Sequence, residues 1–261
     1  MDIVGIGKVI FWAGGSLWIG RAFAAAEPHV HHAIQIAIAM SGRVQFRTSL
    51  ADPWDEYHAA FIPPDVTHTF RAPGQLVANM LCAPESAVGR GLVARYGAQA
   101  IRALEPADVA DDARALLAAF EDDKPDEDLE QLALDTLYAL SGGAPVARID
   151  GRIARAIDFI AARLAEPLTL DHVARQVGLS PGRFRHLFVQ ETGISFRAYL
   201  LWTRLNRALE LGFGGASWTD AAHATNFADS AHLSRTTRRM YGLAATSIRQ
   251  DITPAARPLT A

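Results

Sequence analysis

Leu170-Asp-His-Val-Ala-Arg-Gln-Val-Gly-Leu-Ser-Pro-Gly-Arg-Phe-Arg-His-Leu-Phe188 reads as a short helix, a tight break and a second helix. Thr169, just ahead of it, has the short polar side chain that caps a helix N-terminus. Gly178 supplies the left-handed residue that ends a helix. Ser180-Pro181 then offers a cap followed by proline at the first helical position. On the second helix Phe184, Leu187 and Phe188 recur at helical spacing and form an inward face, with Arg183, Arg185 and His186 between them. Gly193 ends that helix. Ser195 caps a longer one running to Leu211, where Gly212 and Gly214-Gly215 are expected to break it.

The pattern then returns. With residues 170–199 set beside 219–248, Ala174, Gly178 and Leu179 align with Ala222, Asn226 and Phe227 at an offset of 48. One residue enters at the turn, and Phe184, Phe188, Gly193 and Tyr199 align with Leu233, Thr237, Gly242 and Ile248 at an offset of 49. Each copy has alanine where two helices must approach, a tight turn, and a second helix mixing apolar and basic positions. This is the order of a helix-turn-helix, whose second helix enters the DNA major groove. In the second copy Ser230, Ala231, His232, Arg235, Arg238 and Arg239 surround Leu233. Arginine donates paired hydrogen bonds to guanine edges, or binds phosphate. Any one of these arginines would equally suit a solvated helix face; their repeated placement is what points to nucleic acid. The joining helix would be ~25 Å long, which suits two reading helices about 34 Å apart in successive major-groove segments. Phe184, Leu187, Phe188, Leu205 and Leu233 read as core.

Charge divides the chain in the same place. The 261 residues carry a net charge of −3. Residues 1–147 hold 10 basic and 19 acidic side chains, whereas residues 148–261 hold 15 basic, all arginine, and 9 acidic. A basic half beside an acidic half suggests a polyanion partner for the former. The lone Cys82 excludes an internal disulfide framework and a cysteine-based zinc finger. The apolar stretch 9–20 is interrupted by Gly14-Gly15 and is too short to span a bilayer. No clean secretory signal is read, so a cytoplasmic protein with no membrane partner is expected.

The first ninety residues read as short strands with turn signals, the spacing of a small antiparallel barrel or sandwich. In residues 33–40 the alternation sets Ile34, Ile36 and Ile38 against Ala33, Gln35, Ala37 and Ala39. Further short apolar runs fall at 58–62 and 75–82. Helical spacing takes over beyond residue 86, over 107–120 and 129–140, with the solvated acidic turn 121–128 between. Those helices would pack on the barrel or pair between subunits. Ser141-Gly-Gly-Ala-Pro145 is the best linker in the chain, so a boundary is expected near residue 145.

Leu170-x-x-Val-Ala-x-x-Val-Gly-Leu-Ser180, Phe184-Arg-x-Leu-Phe188, Gly193 and Tyr199-x-x-x-x-Arg204-Leu-x-x-Ala208 strongly resemble the AraC/XylS-type transcriptional regulators. Ala222-x-x-x-Asn-Phe227-Ala-Asp-x-x-His232-Leu-Ser-Arg235 resembles the family's second motif, and the likeness covers residues 150–250. It implies base-reading side chains early in each second helix. These are Gly182, Arg185 and His186, with Arg183 beside them, then Ser230, Ala231, His232 and Arg235, with Arg239 following. The sequence departs from the family in several places. Gly182 lacks a side chain, Asn226 stands for glycine, Thr237 for phenylalanine, Ile248 for tyrosine, and Ala244-Ala245 for a Ser/Thr-Pro pair. The second copy is therefore expected to pack more loosely.

His29-Val-His31-His32, with Pro63-Pro64-Asp65-Val-Thr-His68 further on, resembles a degenerate cupin pattern. Three readings stay open. His29, His32, Gln35, Trp54 and His68 would line a small-molecule effector pocket. Alternatively, His29, His31, Gln35 and His68 would hold a divalent transition metal, although Gln35 replaces the expected carboxylate and Asp65 a glycine. The histidines would otherwise only bond backbone in turns. Beyond that metal no cofactor is expected.

The reading is an α+β two-domain chain. Residues 1–90 form a cupin-like, effector-binding antiparallel barrel, 91–144 a helical dimerisation or connector segment, and 145–261 an all-α domain with tandem helix-turn-helix motifs. The expected function is regulation at promoter DNA by a non-enzymatic homodimer answering to a small molecule, with RNA polymerase a further partner. The rival is a cupin-type metalloenzyme with an added helical domain.

Overall fold

The computed structural model describes residues 3–143 and 148–250. Strands β1 (Gly5–Trp12) and β2 (Gly15–Ala22) form a hairpin whose turn needs Gly14 at φ +82°. β3 (Ile34–Ala39), β4 (Val44–Arg47), β5 (Asp55–Tyr57), β6 (Ala59–Ile62), β7 (Thr69–Arg71) and β8 (Leu76–Cys82) follow. Helix α1 (Ala87–Tyr96), the short strand β9 (Arg102–Ala103), α2 (Pro106–Glu121) and α3 (Asp126–Leu140) complete the first half. The second half is α4 (Gly151–Ala161), α5 (Leu170–Gln176), α6 (Pro181–Thr192), α7 (Phe196–Phe213), α8 (Trp218–Ala224), α9 (Ser230–Tyr241) and a last strand, β10 (Ile248–Gln250).

Seven strands form one sheet in the order β10-β1-β2-β8-β3-β6-β9, and β5-β4-β7 form a second. Both faces of β3 are covered. Ile34, Ile36 and Ile38 meet Leu92, Leu116, Leu129 and Leu137 from α1, α2 and α3. Ala37 on the opposite face packs with Val44, Phe46, Ala60 and Ile62, against the small sheet. The alternation seen in the sequence is thus large against small, not buried against exposed. The alanine face lets a second sheet approach closely. The helices expected over 107–120 and 129–140 are α2 and α3, and they lie on the sheet. Lys8 ties the acidic turn to β1, its Nζ 2.8 Å from Asp123 and 3.4 Å from Asp126.

Three features depart from the expectation. α1 was not read as a helix, and after it the chain returns to the large sheet, where β9 pairs with β6. The run at 58–62 is β6 on the large sheet, but β5 just ahead of it, not expected from the sequence, joins the small one. Gly212 does not break α7. A Cβ there would lie 2.2 Å from the Trp218 ring, so the glycine admits an aromatic packed on the helix. The boundary expected near residue 145 falls at residues 144–147, outside the described residues. Among the described residues no helix is long and apolar enough to cross a membrane.

Candidate functional site

The sequence repeat is also a repeat of hydrogen bonds. Thr169 Oγ1 accepts from the His172 N–H, and Ser217 Oγ from that of Asp220. After α5 the N–H groups of Val177 and Leu179 both donate to the Ala174 carbonyl; after α8 those of Thr225 and Phe227 both donate to that of Ala222. The left-handed turn residues are Gly178 at φ +70° and Asn226 at +59°. Ser180 Oγ caps α6 through the Arg183 N–H, and Asp229 Oδ1 caps α9 through that of His232. Gly193 and Gly242 end the two helices in left-handed conformations. Ala174 and Ala222 are both fully buried, as close approach of two helices requires.

Between those caps the outward faces are basic. Gly182, Arg183, Arg185 and His186 are exposed on α6. On α9 Ala231, Arg235, Arg238 and Arg239 are exposed, while Ser230 and His232 are half-buried, the latter 5.1 Å from the Phe227 ring. Among the described residues Arg183, Arg185, Arg235 and Arg239 make no ion pair, whereas Arg238 lies 3.8 Å from Glu27. Phe184, Leu187, Phe188, Leu205 and Leu233 are buried. Thr237 replaces a core aromatic without leaving its hydroxyl stranded, since Oγ1 donates to the Leu233 carbonyl. α7 joins the pairs over 18 residues, about 27 Å of helix. Its Arg204 donates to the carbonyls of Leu164 and Glu166, and Asn226 Nδ2 also donates to Glu166.

The histidines divide into two groups. His29 and His68 face each other in an antiparallel bridge, each N–H donating to the other's carbonyl at 2.9 Å. Their rings are 4.2 Å apart, and His31 stands 5.1 Å from His68. All three are buried and bring ring nitrogens within 4.8 Å of one another. Gln35 Oε1 lies 3.2 Å from His31 Nε2, and its amide donates to Asn79. Burial, with His31 close by, lowers the His29 imidazole to about 3. Burial also lowers His31, and lowers His68 well below the usual range with His29 and His31 adding to it. These rings are neutral at pH 7.

His32 and Trp54 are not brought to that cluster. His32 turns the other way, with Nε2 3.2 Å from Glu85 and Nδ1 3.6 Å from Asp65. Burial alone would lower it, but the two carboxylates hold it protonated, raised to about 9. The 3.6 Å separation is too long for a hydrogen bond, so Glu85 is the principal partner. Trp54 lies under the guanidinium groups of Arg47 and Arg71, at 4.4 and 4.2 Å. An apolar cleft of about 110 Å³ lies between β1, β2 and the segment leading to β10, with Val4, Ile6, Trp18, Phe70, Leu243 and Ile248 in its lining. None of the five residues expected to line an effector pocket borders it.

Residues 173–251 match the family model described as "Helix-turn-helix domain". Over 111 residues the chain is 32% identical to Regulatory protein PocR of Salmonella typhimurium, covering 42% of this chain and 36% of PocR. Over 83 residues it is 37% identical to the uncharacterized HTH-type transcriptional regulator YijO of Escherichia coli, covering 31% of this chain and 29% of YijO. Residues 173–251 carry an AraC-type helix-turn-helix domain. The chain spans about a third of the length of the curated relatives it matches. The described architecture is also similar to crystal structures of ToxT from Vibrio cholerae. One, at 10% identity and TM-score 0.55, covers 88% of this chain and 94% of ToxT. Another, of ToxT with an unsaturated fatty acid bound, has the same identity and TM-score and covers 90% and 95%. That likeness is one of two-domain α+β fold.

The AraC-type domain is docked on the sheet. β10 pairs in parallel with β1, from Gly5 opposite Ile248 to Gly7 opposite Gln250. The Glu27 N–H donates to the Gly242 carbonyl at 2.7 Å. Trp202 from α7 and Tyr241 from α9 close over the histidine cluster, their rings 6.1 and 6.2 Å from His31. Tyr199 covers His32 at 6.1 Å. Sequence reading missed Trp202, Tyr241 and Glu85 as neighbours of the histidines. The spacing of Trp202 and Tyr241 marks them only as helix core, more than 100 positions from the histidines, and Glu85 lies in a turn 53 positions from His32.

Proposed function

We propose that the chain is a sequence-specific DNA-binding transcriptional regulator, with α5–α6 and α8–α9 acting as tandem helix-turn-helix motifs. The observation that carries this reading is the twice-repeated turn geometry, with arginines on the outer face of each second helix, of which Arg183, Arg185, Arg235 and Arg239 make no ion pair among the described residues. Gly182, Arg183, Arg185 and His186 would meet one major-groove segment, and Ser230, Ala231, His232, Arg235 and Arg239 the next. Residues 145–261 are the DNA-binding part in this reading. Residues 1–90 are a cupin-like barrel and 91–144 a connector through which a homodimer forms. The setting is the cytoplasm, with RNA polymerase as a further partner at the promoter.

The regulator answers to a small-molecule effector in this proposal. ToxT has been crystallised with an unsaturated fatty acid. Here the apolar cleft under Leu243 and Ile248 supports an effector site, because a ligand there would touch both the sheet and the AraC-type domain. Effector binding would favour one docking of the two over another, so that differential affinity becomes regulation. His29, His31 and His68 are buried, with Trp202 and Tyr241 over His31, which supports a non-enzymatic reading over a cupin-type metalloenzyme.

Selection of genomic fragments on the immobilised protein, followed by fluorescence anisotropy on those retained, tests the reading. Tight binding that prefers the selected DNA over random duplex and weakens steeply with salt is expected. Equal affinity for selected and random DNA would overturn it.

A further inference from the structure

We infer that Asn226 is a positioning residue that sets the angle between the two helix pairs, by tying the turn of the second to the chain that leaves α4 in the first. Its consequence for DNA rests on the reading proposed above; the tie itself is independent of it. The two pairs have separate apolar cores. Phe184, Phe188 and Leu200 belong to one, and Trp202, Leu205 and Leu233 to the other, so the division falls within α7. A helix shared by two cores fixes their separation, at about 1.5 Å per residue. How each pair is rolled about that helix depends on what else joins them.

The link converges on one carbonyl. Leu164 and Leu168, both buried, hold the chain after α4 in the first core. Between them the Glu166 carbonyl accepts from three donors: the Leu168 N–H at 2.9 Å, Arg204 Nη2 on α7 at 2.6 Å and Asn226 Nδ2 at 3.2 Å. Arg204 Nε also donates to the Leu164 carbonyl at 3.1 Å. Among the described residues no other side-chain hydrogen bond or ion pair runs from residues 201–250 to the segment 148–195.

Arg204 anchors only α7 to this point; Asn226 brings in the turn itself. It stands between α8 and α9 at φ +59°, its N–H donating to the His223 carbonyl. Glycine takes that backbone with less strain, and Gly178 does so in the matching turn of the first pair. Asparagine tolerates the conformation and adds an amide that reaches 60 positions back along the chain. Three residues on, Asp229 caps α9 through the His232 N–H. A shift at Asn226 is therefore carried to the start of the helix that bears Arg235, while Glu166 stays with the helix pair that bears Arg185.

Two variants of the full chain isolate the tie. Asn226→Gly keeps the left-handed turn and removes the donor. Asn226→Asp keeps the shape and the turn but has no N–H to donate. Spin labels go on Gln190→Cys in α6 and Ser234→Cys in α9, both exposed, while the native Cys82 is buried. Without DNA the parent should give one narrow label-to-label distance distribution, and each variant a broadened or displaced one. On selected DNA, one base pair inserted between the two half-sites moves one of them by about 3.4 Å and rotates it. The parent should lose affinity for the lengthened site at least tenfold, and the variants about threefold less than the parent does, the order of one hydrogen bond. Distance distributions unchanged in both variants, or a spacing preference unmoved from the parent's, would overturn the inference. A parent that binds selected and random DNA alike would defeat the DNA-binding reading alone, and the distance measurement would still decide the tie.

Discussion

Trp202 lies over His31 with ring centroids 6.1 Å apart and planes 30° from parallel. Tyr241 stacks on Trp202 at 5.6 Å, and Trp18 on Tyr241 at 5.1 Å. Four aromatic rings thus run from the sheet to α7, to α9 and back to β2. Stacked pairs of this kind are worth about 0.5–1.5 kcal/mol each beyond their buried area. Whatever moves His31 must therefore move the helix that carries Arg235, or break a stack.

The paired substitution Arg185→Ala/Arg235→Ala removes one exposed cation from each second helix. Base-edge contacts contribute about 1–3 kcal/mol each, so affinity for selected DNA should fall by one to several powers of ten. The melting temperature should stay within a degree or two. Anisotropy read beside thermal unfolding checks it, and unchanged affinity would rule out these arginines as base readers.

Gly242→Ala should loosen the joint. Gly242 has φ +69°, and a Cβ there would meet the Glu27 carbonyl at 2.4 Å and His29 Nδ1 at 2.6 Å. Both strain and contact oppose the methyl group, at a cost of about 1–3 kcal/mol. Denaturant unfolding measures it. Limited proteolysis should then cut between sheet and helices sooner than in the parent.

Phe184→Ala empties the centre of the first helix pair, where Phe184 is fully buried against Phe188 and Phe196. The expected loss is about 3–5 kcal/mol, seen as a lower denaturation midpoint. The Ala222 pair belongs to a different cluster, so hydrogen exchange should rise in α5 and α6 first.

Stability should peak near pH 6.5 in chelator-treated protein. His32 is held at about 9 when folded, above the ordinary ~6.5. Its contribution is complete below that ordinary value and is lost as pH rises towards 9. His29, held at about 3, behaves oppositely, as do His31 and His68. They stay neutral when folded but take up protons on unfolding, so stability falls on acidification below about 6.5. His32→Gln should flatten the alkaline limb and leave the acid limb in place. A titration of unfolding free energy from pH 4 to 10 in which parent and variant coincide would refute this assignment.

The helix pairs were legible because their causes are local. A capping Thr or Ser, a left-handed Gly or Asn, and an apolar stripe all act within a dozen residues, and the repeat offset doubles the signal. The joint was not legible in that way. β10 is three residues long and pairs with a strand some 240 positions earlier, which no local pattern can announce. The histidine motif shows an intermediate case. His29, His31 and His68 were named together, but so were His32 and Trp54. Neighbouring residues can face opposite ways, and only the carboxylates of Asp65 and Glu85, brought in by other turns, decide where His32 points.

The β1–β10 pairing makes the seat of the second helix pair a clasp. Its rungs are backbone bonds between Gly5–Gly7 and residues 248–250, backed by the Val4 N–H donating to the Ser247 carbonyl. Release of the helix-turn-helix domain from the sheet would have to break this pairing together with the Glu27–Gly242 hydrogen bond and the Trp18–Tyr241 stack. The two chain ends of the described structure are thereby held side by side, so that the first strand and the last help to seat one another.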